Sequence, residues 1–377
     1  MANLRSPHYT NEIIYNSSIA YVELLLYVWD GVNTQPSQPT YTLRKSQTTG
    51  NDTYFEISEL CRDFLDIDFD GDYSSQALWY SYSIIGYDSN GNIVDDDGGG
   101  VVLALDSYSY FEEINFIVRT GAMISNRKIF ALSDNLVRIP IRVGIDVTVT
   151  FLNKGNTVST STYTPSNNTD GSIRYVTING ENNEDTYEER VSSGGGVLED
   201  STCLQDFLNS FNIGEVDNII ISNSQGVLQN IDVVTINECK YEPKKVTFIN
   251  KFGALQDMYF FKKSVEKIDI KKESYKANII QGGSYSRSKH VNRDFNVIGK
   301  ESVSLSSGYL SEEYNEVFKQ LLLSEKVWVT NIINGVEQVL PLNVKTSDIK
   351  YKTSLNDKLV EYTIEFDNSF DTINNIR

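Results

Sequence analysis

The chain is expected to be mainly β: several small antiparallel β-sandwich domains with short helices, closing on a C-terminal helix-on-sheet sandwich. Three observations predict this. Short runs rich in Val, Ile, Tyr, Phe and Trp recur along the sequence, bounded by turn signals such as Asp30-Gly31, Asn90-Gly91 and Asn334-Gly335. Helical apolar spacing is confined to a few brief stretches. The 377 residues exceed the size of one ordinary core, so roughly two to four domains must share them.

The first strand signal is IAYVELLLYVW, residues 19–29, followed by Asp30-Gly31. After the Pro36 and Pro39 loop, TYTLRKS alternates as a half-buried edge would. Residues 54–57 resume the strand pattern and run into SELCRDFL. There Leu60, Cys61, Phe64 and Leu65 share a helical face and Ser58 stands at the N-cap, which predicts about two turns. ALWYSYSIIGY, residues 77–87, is an aromatic strand returning through Asn90-Gly91. The DDDGGG run, residues 95–100, reads as an exposed turn or mobile loop, because adjacent carboxylates are not buried unpaired. Residues 1–112 are therefore expected to form an acidic N-terminal sandwich of about seven short strands.

Residues 113–242 are expected to form a central β-rich domain. Val143, Ile145, Val147, Val149 and Phe151 alternate with the polar Asp146, Thr148 and Thr150, so one side of that strand faces solvent or a partner. Residues 179–200 are acidic and Gly-rich and read as a long polar loop. A short helix over 202–211 follows, with Leu204, Phe207, Leu208 and Phe211 as its stripe. Strands around Asn218–Ser222 and Asp232–Ile236 complete this part.

Residues 243–377 are expected to be a C-terminal β-sandwich with one helix over 312–323. Ser311 is placed to cap that helix, and Tyr314, Val317, Phe318, Leu321 and Leu322 form its apolar face. Strand patterns follow directly in KVWVTNI, VEQVLPLNV and KLVEYTIEFD, so one helix on a sheet of at least four strands is the economical arrangement.

Charge narrows the function classes. The formal net charge is -18, which over most of the surface would repel a phosphate backbone, so nucleic acid is not an expected partner. Asp and Glu outnumber Lys and Arg by 18 to 5 in residues 1–120 and by 15 to 8 in 121–240, whereas 241–377 holds 18 acids and 20 bases. Such a gradient suits contact between opposite charges on copies or neighbours, and equally suits domains of independent history. No run approaches the length of a membrane span, so no membrane is expected. Cys61, Cys203 and Cys239 are isolated and odd in number, which reads as buried free thiols of a reducing compartment.

Catalytic patterns are sparse. His8 and His290 have no neighbours at triad or ligand spacing and read as solvated surface residues. Two carboxylates on a β scaffold would suffice for a polysaccharide hydrolase, but the acids lie mostly in polar runs. The expectation is no enzyme, no catalytic residue and no organic cofactor. Asp66, Asp68, Asp70 and Asp72 in DIDFDGD match the first half of a Ca²⁺ loop, so alternate carboxylates could converge on one cation. Position twelve of that loop is Ala77 rather than Glu, so the alternatives are a different Ca²⁺ turn or a solvated acidic loop. Trp79, Tyr80, Tyr82, Tyr108, Tyr110 and Phe111 could stack against sugars in a carbohydrate-binding or adhesin module, or could pack in a core or interface. The Lys262–Lys276 run, interrupted by Glu266, Asp269 and Glu273, reads as a solvated strand or a contact for an acidic neighbour.

Two stretches carry a resemblance. ELLLYVWDG, PTYTLRK, FEISELCRDFL and ALDSYSYFEE resemble proteins from the virion-structural regions of tailed bacteriophages, especially those infecting Bacteroidota. VFKQLLLSEKVWV, VLPLNVKTSDIKYKT and LVEYTIEFDNSFD are similar to the helix-plus-sandwich domain of phage tail-tube, distal-tail and baseplate proteins. The two cover about half of the chain. The resemblance implies a virion tail subunit, made in the host cytoplasm, that forms a ring with other copies and contacts tail, baseplate or receptor-binding proteins. It carries no catalytic residues to transfer.

Overall fold

The computed structural model describes residues 2–5, 13, 15–30, 34–65, 67–71, 73, 77–113, 121–132, 137–142, 146–163, 173–178, 216–238, 240–280, 282–333, 336–348 and 359–373. The polar loop at 179–200, the helix expected at 202–211, His8, Cys203, Cys239, Val143 and Ile145 lie outside them. The protein is mainly β, with several antiparallel sheets. It divides into two compact units, residues 1–237 with 248–257, and residues 238–247 with 258–377.

In the first unit, β1 (Ala2–Asn3), β2 (Tyr21–Asp30), β3 (Tyr41–Ser46), β4 (Ala77–Tyr87) and β5 (Ile93–Leu105) form one sheet in the order β1-β5-β4-β2-β3. Neighbours run antiparallel except the two-residue β1, which lies parallel to the end of β5. Side chains alternate across a strand, so Val22, Leu24, Leu26 and Val28 of β2 reach the buried face together with Leu78, Tyr80, Tyr82 and Ile84 of β4. Phe55, Ile57 and Cys61 close that face from helix α1 (Ser58–Arg62) and the residues entering it.

Helix α1 is five residues long, shorter than the two turns the spacing predicts, and Ile57 rather than Ser58 holds the N-cap position. The Glu56 carboxylate accepts from the Ser58 backbone N–H at 2.8 Å, which satisfies that donor from the preceding turn. Phe64, expected on the buried face, is exposed and meets the Tyr41 ring edge-on.

The DDDGGG run also departs from expectation: it is strand, not turn, in the middle of β5. β5 is exposed from Ile93 to Gly98, so Asp95, Asp96 and Asp97 stay in water while their backbone pairs with β4. Gly99 serves the packing, because a Cβ there would stand 2.4 Å from the Tyr82 ring, which lies across the strand at that point.

The rest of the first unit is a two-sheet sandwich. β7 (Lys128–Ala131), β9 (Val147–Asn153), β10 (Asn156–Tyr163), β12 (Asn218–Asn223) and β13 (Gly226–Thr235) form one sheet, ordered β10-β9-β12-β13-β7. β6 (Gly121–Ala122), β8 (Val137–Arg142) and β11 (Ile173–Ile178) form the other, ordered β11-β8-β6. Val147, Val149 and Phe151 alternate inward from β9 to meet Ile219, Ile221, Ile231 and, from β8, Ile139 and Ile141. On the outer face of β9, Thr148 and Thr150 lie opposite Thr162 and Thr160 of β10.

A polar knot holds residues 250–256 in this unit. The buried Asn250 side chain accepts from the backbone N–H groups of Phe252 at 2.9 Å and Ala254 at 3.2 Å. It donates to the Met123 carbonyl at 2.7 Å and to Gln256 Oε1 at 3.0 Å, and Gln256 donates onward to Asn126. Gly253 has φ +79°, and a Cβ there would lie 3.0 Å from Leu105 Cβ and 3.1 Å from the Asp106 nitrogen, so the turn needs glycine for both reasons.

A seven-stranded sheet comprises β14 (Lys244–Ile249), β15 (Leu255–Phe260), β16 (Ser264–Lys276), β17 (Asn292–Ser311), β18 (Val327–Ile333), β19 (Val336–Val344) and β20 (Leu359–Asn368); the second unit holds β16–β20 with residues 244–247 of β14 and 258–260 of β15. Its order is β15-β14-β18-β19-β20-β17-β16. Helix α2 (Tyr314–Leu323) buries Tyr314, Val317, Phe318 and Leu321, as the apolar spacing predicts. Phe318 sits 4.4 Å from the Tyr362 ring and 6.2 Å from that of Phe260, centroid to centroid, which is the helix-on-sheet packing. Ser311 does not cap this helix. It is the last residue of β17, paired with Leu359, and α2 begins after Glu313 without a side-chain cap.

Candidate interaction surface

Strands β16 and β17 outrun the sheet that carries them. β17 pairs with β20 only over Ser302–Ser311, while its pairing with β16 continues outward to Asn292. At the base, the Thr372 N–H donates to the Gly299 carbonyl at 2.8 Å. Beyond that point, among the described residues, Lys271–Lys276 and Asn292–Ile298 pair as two strands alone, which at 3.3 Å per residue projects about 20 Å before the 277–291 connection. A bulge at Lys271/Glu273 and a positive φ at Asn296 bend the ribbon.

Among the described residues, both faces of the ribbon are exposed. Ile270, Tyr275, Ile280, Tyr285, Phe295 and Val297 are between 43% and 65% exposed, and the Tyr275 and Phe295 rings meet edge-on at 5.7 Å. A two-stranded hairpin is at best marginally stable in water, and exposed apolar groups on such a ribbon are the kind of surface that gains by burial. The charge is one-sided as well. Residues 271–298 carry six Lys and Arg against Glu273 and Asp294, in a chain whose net charge is -18. Lys267 pairs with Asp269 at 2.6 Å and Lys272 with Asp294 at 2.8 Å, both in the open where salt screens them. The run read from the sequence as a solvated strand or a contact for an acidic neighbour is an exposed strand over Ser264–Lys276; its pairing with β17 beyond the sheet was not visible in the sequence.

Asp68 and Asp70 are exposed, whereas Ile67 and Phe69 are buried, and Asp66 and Asp72 lie outside the described residues. Phe69 meets Tyr73 edge-on, and the Tyr73 hydroxyl donates to Asp257 at 2.6 Å. The alternation therefore serves packing through its apolar members. Among the described residues, no group of three or more His, Cys, Asp or Glu side chains could hold a metal ion.

The aromatic residues that could have offered a sugar platform are split between core and surface. Tyr80, Tyr82 and Tyr108 are buried, Tyr110 lies under the Lys251 ammonium at 4.3 Å, and only Phe111 of the set is fully exposed. His290 is exposed on the ribbon connection. Among the described residues, no helix is long and apolar enough to cross a membrane.

Cys61 is fully buried beneath the N-terminal sheet, and burial, with Glu56 nearby, pushes its thiol up to about 12. Only a thiolate attacks an alkylating reagent. In a Cys203→Ser/Cys239→Ser variant, Cys61 is expected to resist iodoacetamide at pH 8 until the unit is unfolded, read by intact mass with and without denaturant. The raised folded-state value also stabilises the neutral thiol, so this contribution is complete below the ordinary thiol value of 9.0 and is lost as pH rises towards 12. Tyr80 is shifted upward in the same core, chiefly by burial, and adds to the same alkaline sensitivity.

No protein-family model, curated protein or solved structure matches this chain.

Proposed function

We propose that the chain is a structural subunit of a tailed-bacteriophage virion, a tail or baseplate component of the distal-tail-like or tail-attached kind. It assembles into a ring with other copies and contacts neighbouring tail or receptor-binding proteins. The observation that carries this reading is the projecting β16–β17 ribbon, whose paired backbone holds large apolar groups that are exposed among the described residues. A protein that works alone gains nothing by exposing Ile270, Phe295 and Val297, whereas an assembly subunit gains their burial, roughly 1.5–3 kcal/mol for each fully covered side chain. Free strand edges support the same reading, since they recruit neighbouring strands.

The test is incorporation. Particles purified from the phage that encodes this chain, dissolved and analysed by quantitative mass spectrometry, are expected to contain it at a fixed copy number relative to the tail proteins. Complete absence from infectious particles would overturn the reading.

A further inference from the structure

Resting on the proposed assembly role, we infer that the basic tip of the β16–β17 ribbon docks on the acidic free edge of β5 in a second copy of the chain. β5 is the complementary surface in three respects. Its outer edge is occupied only at Ala104 and Leu105, where β1 pairs, so among the described residues the backbone of Ile93–Leu103 is open to a further strand. Its charge is wholly negative: residues 77–105 contain Asp88, Asp95, Asp96 and Asp97 and no Lys or Arg. Its side chains include the exposed apolar Ile93 and Val101, so it offers apolar contact as well as charge.

The second copy is the preferred occupant because the two surfaces exclude the alternatives available to identical chains. Two β5 edges brought together would oppose Asp95–Asp97 with itself, and two ribbon tips would oppose net positive charge with itself. Tip on edge is the one pairing in which opposite charges meet. It is also heterologous, one surface meeting a different one, which is the symmetry class that closes rings. The tip contributes the six residues Lys271–Lys276 and the open edge the eleven of Ile93–Leu103, so the tip's backbone can pair wholly within the edge. The three consecutive aspartates in an exposed strand, which have no packing role, acquire one here: they keep the edge from pairing with its own kind and direct it to the ribbon.

The experiment uses the full chain and two charge reversals at exposed positions, Lys271→Glu/Lys272→Glu/Lys276→Glu and Asp95→Lys/Asp96→Lys/Asp97→Lys, compared by sedimentation velocity with circular dichroism as the check on folding. Each triple reversal alone is expected to weaken self-association by about tenfold or more, and the chain carrying both is expected to recover it. Wild-type association is expected to fall as salt is raised to about 0.5 M. Wild-type association that neither reversal alters overturns the inference and leaves the assembly role standing. Single reversals that both weaken association, without recovery in the combined chain, also overturn it, because the two surfaces then meet different partners. A wild-type chain that stays monomeric at every concentration overturns the inference and counts against the assembly role together.

Discussion

Phe318→Ala is expected to remove about 3–5 kcal/mol from the stability of the second unit, enough to populate its unfolded form. Phe318 is completely buried, and its ring joins helix α2 to Tyr362 on β20 and Phe260 on β15. Truncation removes the transfer energy of the ring and leaves a cavity that its two flat neighbours cannot fill without moving. Val317 and Leu321 flank the same face but are smaller, Tyr314 lies a full turn away at the helix start, and Gln320, though buried, spends its amide on Glu316 at 3.0 Å. Hydrogen exchange resolved by peptide reads the effect by region. Protection in β18–β20 is expected to fall sharply, while β2, β4 and β9 keep theirs. Exposed Leu323 on the same helix is the control, and its replacement by alanine is expected to change stability by no more than about 0.5 kcal/mol.

Asn250→Ala is expected to cost the first unit about 3 kcal/mol or more, through the groups it strands rather than the volume it removes. Two backbone N–H groups, Phe252 and Ala254, lose their acceptor, and the Met123 carbonyl and Gln256 Oε1 lose a donor. The site is fully buried, so water does not replace these partners, and each unsatisfied group costs about 1–3 kcal/mol. Asn278 makes the comparison sharp. Its side chain accepts from the Ile280 N–H at 3.0 Å in an exposed loop, and Asn278→Ala is expected to fall within about 0.5 kcal/mol of the parent. Urea titration of the two variants measures the difference, and similar losses at both positions would contradict the account of the knot.

The parts of the fold that were legible in the sequence are those with one buried face. Val147, Val149 and Phe151 alternate because one side of β9 meets the sandwich core, and Tyr314, Val317, Phe318 and Leu321 repeat at helical spacing because one side of α2 meets the sheet. The segments that misled are those where both faces are wet. β5 through Asp95–Gly98 obeys no alternation, and Asp and Gly are turn formers, so composition pointed away from strand although pairing with β4 imposes it. The ribbon carries apolar residues on both sides and a bulge that shifts its period, so the solvated strand was readable but its projection beyond the sheet was not. Ser58 and Ser311 stand at cap positions by spacing, yet Glu56 takes the Ser58 N–H and β17 takes Ser311, which are tertiary decisions that local sequence does not encode. The parallel pairings of β1 with β5 and of β7 with β13 join distant segments and left no local signal.

The candidate surface shows the same division. Its charge was visible at once, since the lysines from Lys262 to Lys276 interrupt an acidic chain. Its geometry was not, because only the end of the β20 pairing at Ser302 reveals that the ribbon continues unaccompanied. Asp68 and Asp70, picked out by spacing alone, prove to alternate with buried Ile67 and Phe69.

Mass photometry of the purified full chain over a concentration series tests the central claim most directly. An assembly subunit held together through its exposed ribbon is expected to show discrete species at whole multiples of the chain mass, with the largest favoured as concentration rises. Deletion of residues 271–298 is expected to collapse them to the single-chain mass. A wild-type protein that remains at the single-chain mass throughout, or oligomers that persist unchanged without the ribbon, would contradict the account.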